Sequence, residues 1–181
     1  DVNNIGYDNL DDQMRRAAAG GAQFMVLGGD MVLSATPLRF RYCMLELSLG
    51  KPHIPVVVTP GNHDQWCTES DEASDLCFRR IFGLTECSFV SGSALFVVRN
   101  QDALWSTDIW TSVEREMRAH QGEYRHVLLF THAPPVNWEG KLPDALVPEE
   151  TVRRNMARAN ELGIDVVFSV HIKQFHRGRY G

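Results

Sequence analysis

Short apolar runs alternating with amphipathic stretches constrain this chain most, because that order belongs to α/β folds built on largely parallel strands. Asn9 to Ala19 carries Leu10, Met14, Ala17 and Ala18 at helical spacing and stops at Gly20-Gly21. Phe24 to Leu27 reads as a short strand, and Pro37 opens a second helix that runs through Leu49 and closes at Gly50. Ile54 to Thr59 is the next strand, Asp75 to Phe82 a short helix, and Ser88 to Val90 and Ala94 to Val98 are strands joined around Gly92. Ser106 or Thr107 can cap a helix with Ile109, Val113 and Met117 on one face. His126 to Phe130 is a strand, Pro148 to about Glu161 a helix ended by Gly163, and Ile164 to Ser169 the last strand. The segment from Val136 to Val147, with a Trp, a Gly and one proline, reads as a surface loop near a site. No internal repeat or low-complexity tract divides the sequence.

A chain of 181 residues with 44% apolar and 23% charged residues has the size and composition of one globular domain. It has no apolar run of membrane-spanning length and no visible signal peptide, so the expectation is a cytoplasmic protein without a membrane partner. The formal charge is −5 and the basic residues are scattered. That disfavours an extended nucleic-acid groove and still allows a small phosphate ester. Cys43, Cys67, Cys77 and Cys87 lack the C-x-x-C spacing of a zinc site and are expected to be reduced. Cys67 with Cys77 is the one pair left open as a disulfide. The chain starts at Asp1 without a Met and stops at Gly181 soon after a motif-like segment, as a piece of a longer protein would.

Four apolar strands end in groups able to bind a ligand. Leu27 precedes Gly28-Gly29-Asp30, Thr59 precedes Asn62-His63, Phe130 precedes His132, and Ser169 precedes His171. Ligands of open α/β sheets bind outside the carboxyl ends of strands. One carboxylate, one amide and three imidazoles make the mixed oxygen and nitrogen set that suits Mn, Fe, Zn or a related divalent ion. Each residue also has a plainer reading. Gly61-Asn62-His63-Asp64 can be a simple turn, Gly and Asn being at ease with positive φ, Asp30 can be a cap, and either His132 or His171 can be a structural imidazole.

Taken together, these segments resemble the calcineurin-like metallophosphoesterase superfamily, whose blocks run D-x-H, G-D, G-N-H-D/E, an isolated H, and G-H-x-H. The corresponding segments here are Asp1-Val2-Asn3, Gly29-Asp30, Gly61-Asn62-His63-Asp64, Thr131-His132 and Val170-His171-Ile172-Lys173. The resemblance implies a two-sheet sandwich flanked by helices. The single domain would span residues 1–181 with incomplete edges, lacking the strand before Asp1 and those after Gly181. It casts Asp30 as a bridging metal ligand, with Asn62, His132 and His171 completing one metal site. His63 would stabilise the phosphate and protonate the leaving oxygen, oriented by Asp64.

The other metal site would draw on Asp1, Asn3 and the position of Lys173, where the family supplies His in place of Asn3 and Lys173. An amide oxygen is a weak ligand and an ammonium is none. Val170 stands where the motif has Gly, and its Cβ could displace His171. The leading expectation is a metal-dependent hydrolase of a phosphate monoester or diester. The alternative is a catalytically impaired domain that binds a phosphorylated ligand or a partner. Trp66, Trp138 and Phe175 could stack on a base or aryl group, and Arg177 and Arg179 could hold a second phosphate.

Overall fold

The computed structural model describes residues 7–49, 54–65, 67, 75–100, 108–135, 148–171 and 178. It divides into two compact units, Asp1–Thr85 and Glu86–Gly181. Among the described residues there are five α-helices and two sheets, so the mixed α/β class read from the alternation holds.

The first unit follows the sequence closely. Helix α1, Tyr7–Ala19, buries Leu10 and Met14, and its outer side carries the Asp11–Arg15 and Asp12–Arg16 ion pairs one turn apart. Strand β1, Met25–Leu27, pairs in parallel with β2, Val56–Val58, in the register Met25↔Val56. Both strands are shorter than their apolar runs, because only three residues on each side find a ladder partner. Helix α2, Pro37–Leu49, starts at Pro37 and is capped by the Thr36 hydroxyl, which accepts from the Arg39 amide at 3.2 Å. Helix α3, Leu76–Phe82, brings Phe78 and Phe82 edge-on against Phe40 of α2.

Cys67 and Cys77 form a disulfide, with Cα atoms 5.4 Å apart. The expectation of four reduced cysteines is therefore corrected to two, Cys43 and Cys87. Sequence spacing cannot say that α3 turns Cys77 back onto the segment after the Asn62 turn, and that proximity is what a disulfide needs.

The second unit holds a four-stranded sheet in the order β3-β4-β5-β6. Strands β3, Cys87–Ser91, and β4, Ala94–Arg99, form an antiparallel hairpin around Gly92. Strands β5, His126–Thr131, and β6, Val166–Ser169, extend it in parallel. Helices α4, Trp110–Ala119, and α5, Glu149–Leu162, cover one face, with Leu95, Val97, Val113, Val127 and Leu129 in the core beneath. The Trp110 indole donates to Asn155, whose amide donates to the Pro135 carbonyl, so this buried polar pair is satisfied. Ser106 and Thr107 lie outside the described residues, and the Asp108 carboxylate accepts from the Trp110 amide at 2.9 Å. Gly163 ends α5 in the left-handed conformation, as its position predicts. Among the described residues, no helix is long and apolar enough to cross a membrane.

Candidate functional site

In the first unit, two loops that leave neighbouring parallel strands meet at their carboxyl ends. Asp30 follows β1 and the Asn62–Asp64 turn, a single turn of 3-10 helix, follows β2. The His63 amide donates to Asp30 Oδ1 at 3.1 Å. Gly61 is extended, with φ −98°, so positive φ is not what it supplies. Its value is the missing side chain: a Cβ there would lie 2.2 Å from Asp30 Oδ1 and 2.4 Å from the Asp30 amide nitrogen. Glycine lets the two loops touch.

Asp64 is fully buried and clamps the same two loops. Its Oδ1 accepts from the Val32 amide at 3.1 Å and its Oδ2 from the Gly61 amide at 2.8 Å. Burial pushes its carboxyl up to about 6, against the downward pull of backbone amides at Gly61, Met31 and Val32; the Asp30 charge adds to the rise. The sequence reading made Asp64 the orienter of His63. The ring is held instead by Leu33, whose carbonyl lies 2.9 Å from His63 Nδ1. A carbonyl only accepts, so Nδ1 carries the hydrogen and Nε2 is left for chemistry. Nothing in the residue identities marked Leu33, because its contribution is a backbone oxygen.

In the second unit, β5 delivers His132, which is buried, and β6 delivers His171, which is half-buried. His132 Nε2 and His171 Nδ1 lie 3.0 Å apart, with the rings edge-on. Two imidazole nitrogens bound to one zinc-like ion at about 2.0–2.1 Å stand roughly 3 Å apart as well, so the pair fits a shared cation. Val170 donates its amide to the His132 carbonyl at 3.0 Å. His171 thus lies beside His132 with Val in the place of the motif glycine.

Asp30 has φ 51° and His171 has φ 67°. Among the described residues they are the two non-glycine positions in the left-handed region, where a side chain is strained. Asn62 is exposed at the head of its turn. Asp1, Asn3, Trp66, Trp138, Lys173, Phe175, Arg177 and Arg179 lie outside the described residues, as does the segment 136–147.

The family model for calcineurin-like phosphoesterases matches residues 1–174. A zebrafish (Danio rerio) protein named serine/threonine-protein phosphatase CPPED1 is 28% identical over 177 residues, which is 88% of this chain and 55% of the relative. The chain thus spans about half the length of that curated relative. Among solved structures, the purple acid phosphatase PPD1 from yellow lupin (Lupinus luteus) seeds matches with a TM-score of 0.63 at 12% identity, over 90% of this chain and 32% of the other. At that identity the likeness concerns the fold alone.

Proposed function

This chain belongs to the calcineurin-like phosphoesterase family, and from that membership we propose that it hydrolyses a phosphate monoester or diester with the help of divalent metal. One observation carries the reading to particular residues. Asp30 and His171, both on the ligand set drawn from the sequence, hold left-handed backbone that costs on the order of 1–3 kcal/mol each and that folds retain chiefly at functional positions. The metal ligands proposed are Asp30, Asn62, His132 and His171. Their oxygen and nitrogen donors suit Mn, Fe, Zn or a similar ion better than an all-oxygen cation site would.

The chemistry such ions supply when bound is Lewis acidity toward phosphoryl oxygens and a water acidified to near neutrality. The chain's own contribution is a proton and its placement. With Nδ1–H donating to the Leu33 carbonyl, protonated His63 offers Nε2–H to the leaving oxygen, which departs as an alcohol while the water oxygen ends on phosphorus. Asp64 is a positioning residue that holds the Asp30 and Gly61 loops together.

The expected result is manganese-dependent hydrolysis of an aryl phosphate ester, reduced about 10²- to 10⁴-fold in His63→Ala, the usual weight of a positioned acid. Purified protein with no turnover under any divalent ion overturns the proposal. The name of the zebrafish relative makes a phosphoserine peptide the second substrate to try. A second reading, an impaired domain that binds a phosphorylated ligand, rests on Asn3 and Lys173 at positions where the family supplies His. Metal analysis separates the two: about two equivalents per chain contradicts the impaired reading, and one or none supports it. The Cys67–Cys77 bond weighs against the cytoplasmic location expected from the sequence, since such bonds persist in oxidising compartments. Alkylating the thiols of protein taken from cells, before and after reduction, reads which holds.

A further inference from the structure

Helix α2 is apolar on two opposite sides. Its inner side buries Phe40, Cys43 and Leu47 in the core of the first unit. Its outer side carries Leu38, Tyr42 and Leu45, spaced four and three residues apart, with 77%, 54% and 52% of their surface exposed. Spacing of that kind places the three on one stripe. Scattered single apolar residues would need no explanation, whereas an exposed stripe on a helix that is already buried on its other side does.

The charges beside the stripe select what covers it. At about 100° per residue, Arg39 and Glu46 fall on one flank of the stripe and Arg41 and Ser48 on the other. Arg39 and Glu46 are seven residues apart, about two turns, which is too far for them to pair with each other along one helix. Two such helices laid antiparallel meet like flank to like flank, so Arg39 of each copy faces Glu46 of the other, and the apolar stripes interlock between the two pairs. A parallel arrangement would set Arg39 against Arg41, charge against like charge. The pattern is self-complementary in one orientation.

We propose that α2 is a homodimer surface, on which two copies of this chain pack their α2 helices antiparallel about a two-fold axis passing between Tyr42 and Cys43. The inference is independent of the proposed hydrolysis, since it uses none of the residues assigned to that chemistry. Sedimentation equilibrium of the intact chain is expected to show a reversible dimer, with dissociation constant raised roughly tenfold or more in Leu38→Glu and in Leu45→Glu. Arg39→Glu places Glu against Glu46 at both ends and weakens the dimer, while Arg39→Glu with Glu46→Arg restores it. Because Leu38, Arg39 and Leu45 are exposed in the single copy, the circular dichroism melt taken well below the dimer's dissociation constant stays unchanged, and Leu45→Ser gives the same reading should Leu45→Glu fail to fold. A chain that stays monomeric up to its solubility limit overturns the proposal. So does a reversed-charge double variant that dimerises no better than Arg39→Glu alone.

Discussion

Asp64 in the first unit and Asp165 in the second perform the same task and are driven in opposite directions. Each carboxylate accepts a backbone amide from a segment far away in sequence, Asp64 from Val32 and Asp165 from Val127 at 2.8 Å, and Asp64 also accepts from Gly61 in its own turn. Asp64 is fully buried, and burial outweighs the amides, so its carboxyl rises to about 6. Asp165 sits in the open with 43% of its side chain exposed, and the Val127 amide together with neighbouring His126 holds it below the ordinary carboxylate range. The lesson is that a hydrogen bond sets how a carboxylate is placed, while its surroundings set what that placement costs.

The largest test of this contrast is the same substitution at both sites. Asp64→Asn turns one amide-facing oxygen into an NH₂ group that meets Val32 or Gly61 donor to donor in a buried place, a loss of about 2 kcal/mol in urea unfolding near pH 8. Turnover should fall with it, because the loops carrying Asp30 and His63 lose their clamp. An unchanged urea midpoint would mean that the clamp is not what joins those loops. A smaller test takes the strained member of the second unit. His171→Gly removes left-handed strain but also the ring that contacts buried His132, so metal-free stability is expected to change little while divalent metal content falls. A variant that loses stability and keeps its metal contradicts the assignment of His171 as a ligand.

The smallest effect belongs to Asp165→Asn. Because the folded carboxyl titrates below its unfolded value of 3.8, its stabilisation is present above about pH 4 and is lost as pH falls through the folded value. Melting temperatures of wild type and variant should therefore separate slightly at neutral pH and converge in acid. Separation that grows in acid would reverse the sign and remove the contrast with Asp64.

Much of the fold was legible because local rules suffice for it. Pro37 and Gly50 bracket a helix observed at Pro37–Leu49, and Gly163 ends α5 where a left-handed cap was expected. The placement of Asp30, His63, His132 and His171 just after strands was likewise readable, since each follows a short apolar run. Three features were not. Gly61 needed the approach of Asp30, 31 positions earlier, to explain it. Leu33 acts through a carbonyl that every residue has. The Cys67–Cys77 bond depended on the direction in which α3 turns back.

The sequence by itself determined the order of helices and strands and which chemical groups stand at their ends, because periodicity, caps and turns act over a few residues. Tertiary structure alone decided what those groups do. Which nitrogen of His63 carries hydrogen, why Asp64 rises while Asp165 falls, and which backbone positions carry strain all follow from groups brought close from distant parts of the chain. Desolvation and hydrogen bonding act through space, and no local pattern encodes them.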